Sequence, residues 1–284
     1  MVVFPPAKIN IGLQITGKRE DGYHNLVSVF YPLDLCDVLE IVLDENSPVG
    51  SVKFHPSGLA VNGKPEHNLV LQAIRLFHEK HTLPGLQVYL HKVIPMGAGM
   101  GGGSSDATYT LRVLNDLFGK PFGEKELFAM ALQLGSDCPF FLYSKPCLVE
   151  GRGEVLHDLR LDVASYYLVL INPGVHVSTA EAFAMIKPKP PEFHLGEVVV
   201  LAPENWNGRV VNDFEEPMML KYSEIRTALD LLKDSGAVYA AMSGSGSTAY
   251  GIFASKPTLP DLPKHWMKFE QVLNKINAKF TEGH

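Results

Sequence analysis

The clearest hydrophobic pattern lies near the N-terminus, where apolar and polar residues alternate from residue 8 to residue 16. A two-residue period predicts a β-strand with one buried face. The apolar face carries Ile9, Ile11, Leu13 and Ile15, and the opposite face carries Lys8, Asn10, Gly12 and Gln14. Lys8 and Asn10 are therefore expected to point the same way, away from the core.

Short apolar runs and helical periodicity predict a mixture of further elements. Strands are predicted at residues 25–33, 38–43 and 86–94, with apolar runs at 139–143 and 166–171 and two strand-like runs around 242–247. Helices are predicted at residues 68–81, from 104 or 105 to 118, and at 124–134, 179–186 and 223–235. This order is mixed α+β and not a regular βαβ array, and a change of composition suggests domains at 1–155 and 156–284.

Composition narrows the class of protein. The 284 residues are 46% hydrophobic and 20% charged, which is typical of a globular chain with a real core. The formal net charge of −6 argues against a surface that binds nucleic acid, although it allows a local basic pocket. A compact protein that binds small molecules is the better expectation.

The cellular compartment is predicted from sequence features that the chain does not show. Its three cysteines, Cys36, Cys138 and Cys147, form no metal-binding spacing and no even disulfide framework, which favours a reducing compartment. No signal peptide precedes Pro5, and no apolar run approaches the about 20 residues of a membrane span. We expect a cytoplasmic protein with no membrane partner, and the sequence leaves its oligomeric state open.

The strongest candidate for chemistry is a glycine-rich segment at 95–107, which reads PMGAGMGGGSSDA. It follows a predicted strand and opens a predicted helix. Glycines let an anion approach the backbone closely, and the N–H groups at a helix N-terminus favour negative charge. The segment therefore predicts a phosphate site.

Three other phosphate-binding classes fit this segment poorly. Gly97, Gly99 and Gly102 satisfy the G-x-G-x-x-G spacing, but a dinucleotide fold needs a second parallel strand soon afterwards, where residues 123–134 predict another helix. A Walker A loop needs a hydroxyl residue after Gly-Lys, and no Gly-Lys pair here has one. The protein-kinase motif set is also absent.

Three separated segments together resemble the motifs of the GHMP superfamily of galactokinase, homoserine, mevalonate and phosphomevalonate kinases. They are residues 6–13, PAKINIGL, the glycine-rich segment, and residues 243–248, SGSGST. Four further segments, at 21–24, 135–141, 151–154 and 172–179, followed by Phe183, resemble one branch of it. That branch phosphorylates the 2-hydroxyl of methylerythritol carried on cytidine diphosphate, in isoprenoid precursor synthesis.

The resemblance implies a two-domain α+β kinase with an N-terminal domain like domain 2 of ribosomal protein S5 and a ferredoxin-like C-terminal domain. It implies ATP as the phosphoryl donor and an expected Mg²⁺, with the metal ligands unknown. Asp106 would either bind magnesium or favour the helix N-terminus, and we prefer the second role.

The resemblance also assigns roles to individual residues. Lys8 would supply positive charge, and Asp137 would orient the acceptor hydroxyl and take its proton. The expected substrate-binding residues are Asn10, Tyr23, His24, Thr179 and Phe183. Among them, Tyr23, His24 and Phe183 would form a cytosine pocket in which two aromatic faces enclose the base and hydrogen bonds meet its edge. The expected ATP-binding residues are Pro95, Met96, Gly97, Gly99, Gly101, Gly102, Gly103, Ser104 and Ser105, and the third motif contributes Ser243, Gly244, Ser245 and Gly246.

Two alternatives remain open from the sequence. One is another small-molecule kinase of the superfamily, of the mevalonate or homoserine type, which would not explain Tyr23, His24 and Phe183. The other is a non-catalytic sensor with the same fold, which would be free to lose Lys8 or Asp137.

Overall fold

The computed structural model of the chain describes residues 1–61 and 64–273. These form two compact units that alternate along the sequence. The first unit comprises Met1–Lys8, Leu33–Met96 and Gly101–Ser144, and the second comprises Ile9–Pro32, Gly97–Met100 and the chain from Lys145 onward. The predicted domain boundary near residue 155 stays a prediction.

The elements are numbered in chain order over the described residues. The strands are β1 Val2–Val3, β2 Pro6–Lys18, β3 His24–Cys36, β4 Val38–Asp44, β5 Val52–Gly58, β6 Gly85–Lys92, β7 Cys147–Glu150, β8 Val155–Asp158, β9 Tyr167–Asn172, β10 Tyr239–Met242, β11 Ala249–Phe253 and β12 Met267–Val272. The α-helices are α1 Leu69–Lys80, α2 Gly102–Leu117, α3 Glu124–Leu134, α4 Phe140–Tyr143, α5 Thr179–Ala184, α6 Glu215–Lys221 and α7 Ser223–Asp234. Short 3-10 turns lie at Pro65–His67, Leu195–Val200 and Pro203–Asn205.

The first unit is a four-stranded sheet of order β1-β4-β6-β5, packed with α1, α2 and α3 around one core. Strands β5 and β6 are parallel, and the other neighbours are antiparallel. Alternate residues of β4 and β6, such as Ile41 and Val88, enter the core with Phe77 of α1 and Leu111 of α2. Asn68 caps α1 by accepting the N–H of Val70 at 2.9 Å. The core thus supports α2, whose first turn forms the last part of the glycine-rich segment.

The second unit is built on two further sheets. One sheet has the order β2-β3-β7-β8, and the larger parts of its strands β2 and β3 lie in this unit. The other sheet has the order β10-β11-β9-β12 with antiparallel pairs. The amphipathic helix α7 buries Ile225, Leu229 and Leu232, as its periodicity predicts. Among the described residues, no helix is both long and apolar enough to cross a membrane.

The prediction that β2 is buried on one face alone is wrong, because every residue from 6 to 15 is buried. Lys8 is 3% exposed and Asn10 is 1% exposed, so neither points to solvent. Their polar groups meet partners from distant parts of the chain: Asp137 for Lys8, and Ser28 and Ser243 for Asn10. This polar face of β2 can be buried because hydrogen bonds and an ion pair satisfy its polar side chains.

Most other elements lie near their predicted places. Helix α3 has the predicted bounds, with the Gly123 N–H donating to Glu126 Oε2 at 3.0 Å at its start. Helix α2 begins at Gly102, whereas the predicted start is residue 104 or 105. Two strands lie around residues 242–247, but they are displaced from the predicted place: β10 ends at Met242, β11 begins at Ala249, and the residues between them form the turn.

Candidate active site

Lys8 and Asp137 form an ion pair in the first unit, with Lys8 Nζ 3.2 Å from Asp137 Oδ2. The Lys8 side chain is 4% exposed and that of Asp137 is 35% exposed. A buried ammonium loses less of its field to solvent than an exposed one. The pair therefore presents a fixed cation with a carboxylate that a ligand in solution can reach.

The turn that carries Asp137 is fixed to α2. The Cys138 N–H donates to the Gly135 carbonyl at 3.1 Å, closing the turn after α3. Thr108 of α2 donates its hydroxyl to the Cys138 carbonyl at 2.9 Å, and it makes the same contact with the Ser104 carbonyl. Asp137 thus sits on a rigid turn, held by the helix that follows the glycine-rich segment.

The glycine-rich segment bends through three left-handed glycines, with φ of 64° at Gly97, 75° at Gly99 and 68° at Gly101. Gly101 precedes α2 and supplies no side-chain cap. The first N–H groups of a helix lack partners within the helix. Ser105 also buries a hydroxyl that has no hydrogen-bond partner. This turn is thus able to receive an anion through backbone N–H groups, as the sequence predicts.

The same turn lies against the ion pair. A Cβ on Gly101 would lie 3.2 Å from Lys8 Cε and 2.9 Å from Phe141 Cζ, so the lysine stem runs directly beside the backbone there. The predicted residues Lys8, Asp137 and Gly101 are therefore neighbours in the first unit.

The third motif is the β10–β11 turn, and it holds the glycine-rich segment to β2 in the second unit. Ser243 Oγ donates to the Gly99 carbonyl at 2.8 Å and accepts the Asn10 N–H at 3.1 Å. A Cβ on Gly244 would lie 3.0 Å from Gly99 Cα. The Asn10 side chain donates to Ser28 Oγ at 2.9 Å inside the protein. Glycine is needed at both 99 and 244 because the two backbones touch.

The three predicted pocket aromatics all lie in the second unit. The rings of His24 and Phe183 are stacked, with centroids 4.9 Å apart and planes 20° apart. Tyr23 is 54% exposed, and the Arg152 guanidinium lies over its ring, 4.6 Å from the centroid. Thr179 Oγ1 is 3.3 Å from Ser245 Oγ, which links the start of α5 to the third motif.

Comparison with known proteins places this arrangement in a family. A family model of the GHMP kinase N-terminal domain matches residues 68–145, and one of the GHMP kinase C-terminal domain matches residues 193–280. The chain is 45% identical over 254 residues to the 4-diphosphocytidyl-2-C-methyl-D-erythritol kinase of Bacteroides fragilis, with 89% of this chain and 92% of that protein covered. The chain belongs to the GHMP kinase family.

Further relatives agree with this GHMP kinase assignment. The chain is 41% identical to the 4-diphosphocytidyl-2-C-methyl-D-erythritol kinase of Porphyromonas gingivalis, with 91% and 94% of the two chains covered. A crystal structure of a 4-(cytidine 5'-diphospho)-2C-methyl-D-erythritol kinase aligns with a TM-score of 0.74 at 32% identity, covering 90% and 91% of the chains. A homoserine kinase structure from Cytophaga hutchinsonii, at 17% identity and a TM-score of 0.70, shares the fold. The resemblance inferred from the motifs is confirmed, as is the two-domain mixed fold.

Sequence reasoning missed the residues that hold the third motif of this GHMP kinase from behind. Asn212 Nδ2 donates to the carbonyls of Met242 and Gly244 at 2.7 and 2.8 Å, and Glu215 Oε2 accepts the Met242 N–H at 2.7 Å. Burial raises the pKa of the Glu215 carboxyl. In the sequence these residues appear only as polar positions on either side of the apolar Phe214. That pattern is too common to identify residues that hold another turn in place.

Proposed function

We propose that this GHMP kinase transfers the γ-phosphoryl group of ATP to the 2-hydroxyl of 4-diphosphocytidyl-2-C-methyl-D-erythritol. Relatives named for this activity at 40–45% identity over most of the chain carry the substrate assignment. The Lys8–Asp137 pair carries the reaction type, and its presence speaks against a non-catalytic sensor.

In this reaction the substrate hydroxyl oxygen forms a bond to Pγ, the bond from Pγ to the β,γ-bridging oxygen breaks, and ADP leaves. The transition state is loose, so the protein mainly positions the groups and neutralises charge. Lys8 neutralises charge on the transferred phosphoryl group. Asp137 accepts a hydrogen bond from the hydroxyl, orients it, and receives its proton.

The phosphates of ATP are held by the backbone N–H groups of residues 101–104, with the hydroxyls of Ser104 and Ser105 as further donors. The Ser105 N–H is not available for this role, because it donates to the Gly101 carbonyl at 2.9 Å within the helix. The remaining predicted loop residues, Pro95, Met96, Gly97, Gly99, Gly102 and Gly103, shape the backbone on either side. This role is supported by the left-handed glycines and by the buried Ser105 hydroxyl without a partner.

The expected Mg²⁺ has no dedicated protein site among the residues that the structure describes. Among the described residues, no three histidine, cysteine or acidic side chains are grouped so that they could hold a metal ion. Asp106, the candidate ligand from the sequence, is bonded to the buried Lys92 ammonium at 2.7 Å. These residues do not fit a metal ion, so we assign no step to one, and the expected Mg²⁺ stays a prediction.

The cytosine binds in the second unit against Tyr23, His24 and Phe183. His24 covers one face of Phe183, so a base that stacks on that face displaces the His24 ring. Arg152 lies over one face of the Tyr23 ring, and Tyr23 as a whole residue is 54% exposed. Stacking on each ring contributes about 1 to 3 kcal/mol.

A coupled assay with ATP and 4-diphosphocytidyl-2-C-methyl-D-erythritol tests the proposal, with mevalonate, homoserine and galactose as controls.

Stacking does not distinguish cytosine from uracil, so discrimination comes from hydrogen bonds to the base edge, which we assign to the His24 backbone or ring. The uridine analogue then leaves polar groups unpaired, and its kcat/KM falls by up to about 10⁴-fold. Equal kcat/KM for the two nucleotides, or faster turnover of a control substrate, contradicts the proposal.

A further inference from the structure

Three charged side chains form a buried cluster in the first unit that the reaction above does not use. Asp37 lies between β3 and β4, Lys92 is the last residue of β6, and Asp106 lies in the second turn of α2. Their exposed fractions are 0%, 2% and 2%. Charged groups are rarely buried so completely unless they are paired. We call Asp37, Lys92 and Asp106 the buried triad.

Lys92 joins the other two members. Its ammonium donates to Asp37 Oδ2 and, at 2.7 Å, to Asp106 Oδ2. The second oxygen of Asp37 accepts the N–H groups of Val93 and Ile94 at 2.6 and 2.9 Å. The triad therefore connects the end of β6 and the chain beyond it to helix α2.

The first turn of α2 rests directly on this connection. A Cβ on Gly102, the first residue of α2, would lie 2.8 Å from Ile94 Cγ2 and 3.3 Å from Lys92 Nζ. Ile94 is in turn placed by Asp37. The backbone that starts the helix thus approaches Lys92 and Ile94 as closely as a glycine allows, so a shift of either one moves that turn.

The triad is also unbalanced in charge, because two carboxyl groups share one ammonium. Asp106 Oδ1 is buried and has no hydrogen-bond partner. Burial raises the pKa of Asp106 to about 7, and the Asp37 carboxylate adds to this effect while the Lys92 ammonium opposes it. Near neutral pH, the triad therefore changes between a neutral form and a form with one net negative charge.

We propose that Lys92, clamped by Asp37 and Asp106, is a positioning residue for the phosphate-binding turn at residues 101–105, and that the net charge of the triad sets how tightly this turn binds the phosphates of ATP. The proposal rests on the proposed function, in which this turn receives ATP. Protonated Asp106 leaves the triad neutral. Ionised Asp106 adds a negative charge beneath an anion site and weakens ATP binding.

The test compares the Kd of ATP, measured by calorimetry, for the unmodified chain and for Asp106→Asn. Asparagine is nearly isosteric and removes the titrating carboxyl group, so residue 106 no longer changes the charge of the triad with pH. The two proteins should bind ATP with the same Kd at about pH 5.5. At about pH 8.5 the unmodified chain should bind ATP about tenfold more weakly than Asp106→Asn. This factor is the repulsion expected between a charge and a phosphate about 10 Å apart at an effective dielectric of about 20. The ratio of the two Kd values cancels the protonation of ATP itself.

Thr110→Val is the matched control. Thr110 is a buried residue of the same helix and donates its hydroxyl to the main-chain carbonyl of Asp106 at 2.7 Å, so the substitution changes the charge of none of the three side chains. This variant should lower thermal stability and keep the pH dependence of the unmodified chain. Parallel pH curves for Asp106→Asn and the unmodified chain would overturn the charge argument, as would a flattened curve in Thr110→Val.

Lys92→Met tests positioning. It should raise the Kd of ATP at least tenfold and leave the Kd of the cytidine substrate within twofold, because that pocket lies in the second unit. Equal losses for both ligands, or failure of Asp106→Asn to fold, would make the triad a folding element and overturn the proposal. If the unmodified chain itself binds no ATP, the proposed function fails instead.

Discussion

Replacing Gly99 by alanine tests how the third motif holds the glycine-rich segment. A Cβ at Gly99 would overlap the carbonyl oxygen of Ser243 and lie 2.9 Å from its carbonyl carbon. Both atoms are backbone, so no side-chain rotation relieves the overlap. The two backbones must separate, and this breaks both the Ser243 hydroxyl bond to the Gly99 carbonyl and the Asn10 N–H bond to Ser243 Oγ.

The expected cost is the sum of two effects. The left-handed φ of 75° at Gly99 costs an alanine about 1 to 2 kcal/mol. Loss of the two hydrogen bonds costs about 1 kcal/mol each. Gly99→Ala should therefore lower the free energy of unfolding by about 3 to 4 kcal/mol.

Gly103→Ala is the matched control from the same segment. A Cβ there meets only Leu69 Cδ1 at 3.7 Å, an ordinary contact, and the residue is helical. Alanine is favoured over glycine in a helix by up to about 1 kcal/mol, so this variant should be neutral or slightly stabilised.

Urea denaturation followed by far-ultraviolet circular dichroism measures both variants, since Gly103 lies in the first unit, and tryptophan fluorescence adds a reporter of the second unit. Trp206 is fully buried in the second unit and donates to the Leu201 carbonyl at 3.0 Å, so it reports the unfolding of the unit that contains Gly99. Unchanged stability in Gly99→Ala, or an equal loss in Gly103→Ala, would refute the close approach of the two backbones.

Two further predictions concern turnover and substrate affinity. Lys8→Met and Asp137→Asn should each lower kcat at least about 100-fold while nucleotide binding persists. The reason is that removing one transition-state charge contact costs roughly 3 kcal/mol. A variant that keeps a tenth of the turnover would contradict its assigned role. Arg152→Ala should raise KM for the cytidine substrate about threefold and leave KM for ATP unchanged, because a cation over an exposed ring contributes about 0.5 to 1 kcal/mol. Arg152→Lys keeps the charge near Tyr23, so its KM for the cytidine substrate should lie between the values of the unmodified chain and Arg152→Ala. Equal shifts in the KM values for the cytidine substrate and for ATP would contradict the prediction.

Local patterns predicted the elements whose stabilising contacts are local. Helix α3 has glycines on both sides and its own Glu126 at the start, so its bounds follow from the residues within it. Strand β5 was missed because it contains Pro56 and is largely exposed, which removes the alternation expected of a strand. The strand-like runs around 242–247 were misplaced because the turn glycines lie between two short strands, each too brief to show a period.

Burial of polar residues could not be predicted in the same way. Lys8 was expected to face solvent because its neighbours alternate, yet its partner Asp137 lies far along the chain. Asn10 likewise depends on Ser243, 233 residues away. A single sequence gives the residue type at each position and no measure of which distant residue will cover it, so a solvated strand face and a buried polar face look the same.

This difference explains which residues of the candidate site were found. Lys8, Asp137 and the glycines carry motifs whose spacing is itself informative, so they were identified before any contact was known. Lys92 matches no such pattern, and a lysine at the end of a strand is ordinarily a solvated residue. Its burial is visible only when two carboxyl groups from separate segments close over it. The contacts that orient the side chains of a site therefore depend most on the fold. Variants of the buried triad should show positioning effects on ATP binding that are separate from effects on the catalytic step.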